Sequence, residues 1–185
     1  SLSELAIGFC VGLGAGCAVI TGQFFGQRDD ERLSRSVHTA MTLALVVGAF
    51  ISVLGVVFLP AILTLMGTPR ELMWEALAYS RCYFGAMVFS LVLNMGTALL
   101  RAVGDTRAPA LIIASGCVFN VVFDLIFVAG FKMEALGCGI ATALTITINA
   151  SMVMVRLMRA QGAWRLDPRR LGIDRSICRS MLATG

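Results

Sequence analysis

Residues 37–66 read VHTAMTLALVVGAFISVLGVVFLPAILTLM, thirty residues in which His38 is the only side chain able to carry a charge. A helix rises about 1.5 Å per residue, so about 20 apolar residues cross a bilayer core of about 30 Å. The thirty seen here cross it with tilt, and Pro60 is expected to kink the far end. Working outward, four more runs of this kind appear, giving predicted spans at residues 2–25, 37–66, 76–100, 109–128 and 136–157. Glu4 is the only charge in the first run, and Arg81 lies in the third. Barrel strands would alternate over about ten residues, and no such alternation is seen. The expected fold class is all-α: a polytopic transmembrane helix bundle over residues 1–157, followed by a basic cytoplasmic tail over 158–185.

Composition and charge agree with that architecture. The 185 residues are 58% hydrophobic and 14% charged, against about a quarter charged in soluble domains. The net charge of +4 is unevenly spread. Arg28, Arg32 and Arg35 follow the first span, and Arg101 and Arg107 follow the third. Arg156, Arg159, Arg165, Arg169, Arg170, Arg175 and Arg179 close the chain. Only Arg70, Arg81 and Lys132 fall on the opposite side. Basic loops stay in the cytoplasm, which places these two loops and the tail inside and the protein in a bacterial inner membrane. No basic face is interleaved with aromatic residues, so nucleic acid is not an expected partner; the lipid bilayer is. The first span then starts outside, and an odd number of spans is expected before it. Hydrophobic sequence starting directly after Ser1 also suggests a piece of a longer protein.

The six cysteines, Cys10, Cys17, Cys82, Cys117, Cys138 and Cys178, form no CxxC pair and read as small buried hydrophobes. No Ser/His/Asp or Cys/His set, phosphate loop or metal-ligand cluster appears, so neither an enzyme nor a cofactor is expected. His38 reads as a solvated cap, and Trp74 and Trp164 as interfacial anchors. In the tail, Asp167-Pro168 reads as a helix start. Leu171, Ile177 and Met181 are expected to form an apolar side, with the arginines facing lipid headgroups.

Polar residues inside the spans carry the functional signal. Gly8, Gly12 and Gly16 repeat every four residues, a spacing that lets helix backbones approach in lipid. Asn120 and Asp124 lie one turn apart on one face of the fourth span, with Gly116 below them. A carboxylate at the centre of a span costs about 2.5–3.5 kcal/mol on insertion scales, and such residues usually mark an ion or substrate path. A structural hydrogen bond or helix cap is the other reading. Thr142, Thr145 and Asn149 stripe the fifth span, and Ser90, Asn94 and Thr97 the third. Such stripes make interhelical hydrogen bonds or line a cavity.

Three stretches are similar to the multidrug and toxic compound extrusion (MATE) family. One runs from Gly12-Leu-Gly-Ala-Gly to Gly22-Gln23-Phe-Phe-Gly26. The most specific is the turn Arg101-Ala-Val-Gly104-Asp105-Thr106-Arg107-Ala-Pro109, preceded by Asn94-Met-Gly-Thr. The third pairs Asn120-Val-Val-Phe-Asp124 with Leu136-Gly-Cys-Gly-Ile-Ala-Thr142. In the turn, Gly104 permits a tight bend, Asp105 or Thr106 can cap the next helix, and Pro109 suits its first turn.

The resemblance implies a twelve-helix protein of two six-helix lobes that acts as a monomer when full length. The five spans would be helices two to six of the first lobe, and the tail the linker to a second lobe outside this chain. It implies a secondary antiporter that exports amphipathic or cationic organic compounds in exchange for H+ or Na+. Asp124, Asn120 and Thr142 match the family's cation-coupling positions, and Asp124 is where Na+ would bind. Asn94, Gln23 and Asn149 are cleft or gating candidates. A lipid-linked oligosaccharide flippase of the same superfamily is the alternative, and a non-transport membrane scaffold a more distant one. The topology is checked by labelling single cysteines in a cysteine-free full-length protein. Positions near Asp30, Asp105 and Gly162 should label from the cytoplasm, and those near Thr68 and Lys132 from outside; external labelling at Asp105 would reverse the orientation.

Overall fold

The computed structural model describes residues 2–65, 67, 73–131 and 134–184. Thr68, Arg70 and Lys132, which the sequence assigns to the outer side, lie outside the described residues. Seven α-helices are found among those described: α1 (Leu2–Gly26), α2 (Asp30–Leu65), α3 (Met73–Gly85), α4 (Met87–Ala102), α5 (Arg107–Asp124), α6 (Glu134–Met158) and α7 (Arg175–Thr184). A π-helical segment, Leu125–Gly130, continues α5, and a 3-10 turn, Pro168–Arg170, precedes α7. Helix α2, α5 with its π segment, and α6 are each long and apolar enough to cross a membrane. Helices α3 and α4 make a fourth span bent by 43°. Helix α1 has 25 residues, with Val11–Gly26 as its described apolar part.

Helix α2 begins seven residues ahead of the expected span. The Arg32 N–H donates to Asp29 Oδ1 at 3.0 Å, Asp30 and Glu31 stand in the first turn, and Arg35 reaches back to Glu31 at 2.6 Å. A side-chain cap, acids at the positive helix end and an i,i+4 ion pair all extend a helix into water. The helix then runs through Pro60 to Leu65.

The third span, expected to be continuous over 76–100, is instead broken at Ala86. Gly85 ends α3, a residue that costs a helix about 1 kcal/mol relative to alanine. Ser52 of α2 donates its hydroxyl to the Phe84 carbonyl at 2.7 Å. A hydroxyl inserted into a helical ladder is a recognised cause of a sharp kink, and here it satisfies a carbonyl that the break exposes.

Helix α4 is central. It packs against α1, α2 and α6, while α6 also packs on α3 and α5. Met41, Met87, Leu91, Met95, Leu99 and Leu157 are fully buried between these helices. Glycines set the closest approaches: a side chain at Gly48 would meet the Val88 Cα at 2.9 Å, and one at Gly96 would overlap Val153. In α1 two glycines outside the expected spacing also approach α4. A side chain at Gly14 or Gly22 would come within 3.7 Å of α4 carbonyl oxygens, those of Asn94 and Ala102, whereas Gly8 has open space around it. The spacing of four points to Gly8, but these α4 contacts are eight residues apart.

The outward surface is apolar, as lipid requires. Val46, Phe50, Val53 and Val57 form an exposed stripe on α2, and Leu111, Val118, Val121 and Leu125 another on α5 and its π segment. Cys117 is exposed on that same helix, a departure from the expected burial of the cysteines. Cys17 is buried, and Cys82, Cys138 and Cys178 are half-buried. The side chain of Cys10 lies outside the described set. Phe119, Phe123, Phe127 and Phe131 follow one another as a ladder, with ring centroids 6.4, 6.3 and 6.2 Å apart.

The tail is docked onto the bundle. Helix α7 packs on α1 and α2, and Ile177 and Met181, expected on a lipid-facing side, are buried in the core with Leu166. Trp164 also packs against that core, while Trp74 is largely exposed. A Gly48→Ala substitution puts its methyl against backbone, so it should destabilise the fold by about 1–3 kcal/mol. Gly8→Ala should not. Thermal unfolding of the detergent-solubilised protein, compared for the two variants, checks this; equal stability would show that the α2–α4 approach is not limiting.

Candidate functional site

The turn between α4 and α5 is built by its own residues. Gly104 has φ of +86°, a conformation open to glycine and strained for other residues. Asp105 Oδ1 accepts the Ala108 N–H at 3.1 Å. Asp105, not Thr106, therefore caps α5: Thr106 makes no side-chain cap bond. Pro109 falls in the first turn, where it is tolerated. The other carboxylate oxygen receives Arg156 Nη2 at 2.7 Å and Nε at 3.1 Å, tying the turn to the end of α6. Burial alone would raise the Asp105 carboxyl; the Ala108 N–H and the Arg156 guanidinium outweigh it and hold it below the ordinary carboxylate range. Arg107 is exposed, and Arg101 borders a small cavity between α1 and α4.

His38 is not the solvated cap that the sequence suggests. It is 7% exposed; its Nδ1 bonds the Ser34 carbonyl at 2.7 Å, and its Nε2 accepts the Asp167 N–H at 3.0 Å. A carbonyl only accepts and an amide N–H only donates, so the proton sits on Nδ1. Thr39 Oγ1 accepts the Asp174 N–H at 3.1 Å, and Arg35 pairs with Asp174 at 3.7 Å. These bonds gather the arginine-bearing loop and the tail at one end of the bundle.

The polar residues of α5 and α6 lie nearer the other end. Asp124 is the last residue of α5, where the chain widens into the π segment. Its Oδ1 is buried and has no hydrogen-bond partner among the described residues. On α6, Thr145 and Asn149 are 7% and 6% exposed, and Thr145 Oγ1 and Asn149 Oδ1 are likewise buried and unpartnered. The Asn149 amide seats directly on Gly116, where any side chain would overlap it. Consecutive helices joined by a short turn run antiparallel, so this contact sets their register. Counting along both from Gly116–Asn149 puts Asn120 level with Thr145 and Asp124 level with Ala141, one residue from Thr142. Asn120 and Thr142 are half-buried. Three buried oxygens lacking partners on one helix pair is a costly arrangement, since each unmet group costs about 1–3 kcal/mol. Carboxylate, amide and hydroxyl oxygens are what a proton or a hard cation needs.

Two sequence candidates stand apart from this group. Asn94 donates its Nδ2 to its own helix, to the Ser90 carbonyl at 2.9 Å. With Thr97 and Arg101 it lines a cavity of about 210 Å³ between α1 and α4. Gln23 is exposed near the end of α1. Conversely, Thr145 joins the group although its sequence signal is only a place in a polar stripe. Thr21, fully buried on α1 with an unpartnered hydroxyl, carries no signal beyond being a threonine in an apolar run.

Comparison with known proteins locates this architecture. The MatE family profile matches residues 1–126. The chain belongs to the MatE family. It is 29% identical to the Probable multidrug resistance protein YoeA of Bacillus subtilis over 188 residues, which covers 98% of this chain and 41% of that protein. It is 28% identical to an FAD transporter of Shewanella oneidensis over 149 residues, covering 77% of this chain and 32% of that one. The inward-facing structure of a multidrug resistance MATE family transporter superposes with a TM-score of 0.90 at 23% identity, covering 97% of this chain and 41% of that chain. A crystal structure of MATE in the bent conformation gives 0.92 at 22% identity, covering 99% and 41%. The shared fold is a membrane-spanning helix bundle, and this MatE chain spans about two fifths of the length of the relatives it matches.

The Asp105 cap generates a stability prediction. Asp105→Ala removes the cap bond and the Arg156 pair, and should cost about 1–2 kcal/mol at pH 7. A carboxyl held below its unfolded value stabilises above that value, about 3.9, and loses the contribution as pH falls through its folded titration point. The gap between wild type and Asp105→Ala in chemical or thermal unfolding should therefore be full at pH 6–7 and shrink below about pH 4. A gap that is the same at pH 7 and well below pH 3 would remove the charged cap from the account.

Proposed function

We propose that the complete protein is a secondary antiporter of a bacterial inner membrane that exports an amphipathic or cationic organic compound in exchange for H+ or Na+. Asp124 is the coupling carboxylate of this lobe, assisted by Asn120 and Thr142, and no enzymatic activity is assigned. The observation that carries the reading is the buried Asp124 oxygen, unpartnered among the described residues, within one residue of the level of Thr142. The names of the relatives, a multidrug resistance protein and an FAD transporter, support small organic molecules as the cargo class.

The coupling follows from the cost of a buried charge. An unpaired carboxylate in a poorly solvated cleft is expensive. A proton or Na+ neutralises it, and release restores the cost. A cation that binds one conformation better than another shifts the balance between them by its differential affinity. Loading from the side of high cation activity and release on the other then drives the exchange. Thr145 and Asn149, whose buried oxygens also lack partners, enlarge the set that can hold the ion or the water accompanying it. By the distribution of arginines, the tail faces the cytoplasm.

Asp124→Asn keeps the shape and abolishes ionisation. In full-length protein reconstituted into proteoliposomes with an imposed H+ or Na+ gradient, gradient-driven efflux should fall to near the protein-free background. Membrane expression and drug binding should be retained. Asn120→Ala and Thr142→Ala should slow efflux less, because each removes a ligand and leaves the charge. Equal gradient-driven rates for wild type and Asp124→Asn at equal protein levels would make Asp124 a structural residue.

A further inference from the structure

A groove of about 680 Å³ runs between α5 and α6 on the outside of the bundle. We propose that it binds an anionic phospholipid of the cytoplasmic leaflet, with an acyl chain along the groove and the headgroup phosphate at Arg156 and Arg159. The proposal uses the membrane-spanning fold and the charge-derived orientation, and is independent of Asp124.

The walls dictate an apolar occupant. Leu111 and Ile112 of α5 face Ile148, Met152 and Val155 of α6, and Leu111 is 70% exposed. The two hydroxyls along the groove are already committed. Thr147 donates to the Ala143 carbonyl at 2.7 Å, and Ser151 to the Thr147 carbonyl at 2.8 Å. The groove therefore presents methyl and methylene groups and no unmet donor along its length, which suits a hydrocarbon chain and penalises a polar solute.

The end of the groove dictates an anion. Arg156 and Arg159 stand there together, beside the arginine-bearing turn to which Arg156 is bonded. Asp105 pairs with Arg156 and fixes that guanidinium while leaving it about half exposed, with free N–H groups. Arg159 is exposed, and its guanidinium has no ion pair among the described residues. One acid against two arginines leaves a net positive mouth. Basic pockets between spans on the cytoplasmic side are suited to acidic lipid headgroups. The dimensions agree: from Thr147 to Arg159 the helix rises about 18 Å, close to one leaflet's share, about 15 Å, of the hydrocarbon core.

The test uses the full-length protein. Native mass spectrometry with added phosphatidylglycerol, and separately phosphatidylcholine, should show preferential binding of the anionic lipid. Arg159→Gln should weaken that binding about fivefold without changing phosphatidylcholine binding, and Arg159→Lys should largely restore it. A tryptophan placed in the groove by Met152→Trp should be quenched more strongly in vesicles of brominated phosphatidylglycerol than in vesicles of brominated phosphatidylcholine. Equal quenching by both lipids, or unchanged affinity in Arg159→Gln, would remove headgroup recognition and overturn the proposal. No quenching by either would mean that another part of the protein covers the groove, and would overturn it equally.

Discussion

Backbone polar groups have no water to bond inside a bilayer, so each departure from a helix at membrane depth must be repaired by the protein itself. This single requirement organises the bundle. Where the third span breaks at Ala86, the Ser52 hydroxyl takes the Phe84 carbonyl. At the arginine-bearing end, outside the bilayer, the same completion recurs: where α5 starts, the Asp105 carboxylate takes an N–H of its first turn. Where the tail crosses the end of α2, His38 and Thr39 receive backbone N–H groups of Asp167 and Asp174. In each case a side chain from one element completes the backbone of another or of its own turn. The helices are thereby fixed relative to one another by bonds whose loss leaves a group unsatisfied.

The same requirement explains why the polar stripe of α6 stands out. Hydroxyls of Thr147 and Ser151 return to carbonyls of their own helix and need no neighbour. Thr145 and Asn149, on the buried face, have oxygens that do not. A helix in lipid rarely tolerates unmet polar groups without a functional return, and the glycine at position 116 gives up a side chain so that the Asn149 amide can sit against α5. The groove on the outer side of the same helix pair shows the opposite chemistry, apolar along its length with arginines at one end. One pair of helices thus separates a face of unmet polar oxygens from an apolar face ending in arginines.

The spans were legible because lipid selects composition directly: twenty or more uncharged residues admit few other structures. The Gly104-Asp105 turn was legible because its chemistry is local, a positive φ followed by a cap. What was hidden depends on pairs distant in sequence. In residues 76–100 Gly85 alone hints at a weak point, and a lone glycine does not mark a break until Ser52 is beside Phe84. Gly14 and Gly22 meet α4 though neither belongs to the four-residue glycine repeat, because the partner helix selects which positions it touches. The amphipathic pattern of Ile177 and Met181 was visible, but a lipid surface and a protein core are equally apolar, so periodicity could not choose between them. Of the site, Asp124 and Asn120 were readable as ionisable or polar residues in a span. Which α6 residues share their level depended on the Gly116–Asn149 contact.

The π segment after Asp124 has a consequence for the phenylalanine ladder. In an α-helix successive residues advance by about 100°, so residues four apart drift sideways by about 40° at every step. Four such rings would wind well around the helix. The wider π turn, closed by bonds to the fifth residue, advances less per residue and takes back part of the drift. The rings of Phe119, Phe123, Phe127 and Phe131 therefore remain closer to one line, an aromatic rail along the half of the span that ends at Phe131. A spacing of four, which would spiral on an ordinary helix, is held nearer to a fixed direction here, and deleting one residue between Leu125 and Gly130 would unthread the rail while leaving every phenylalanine in the chain.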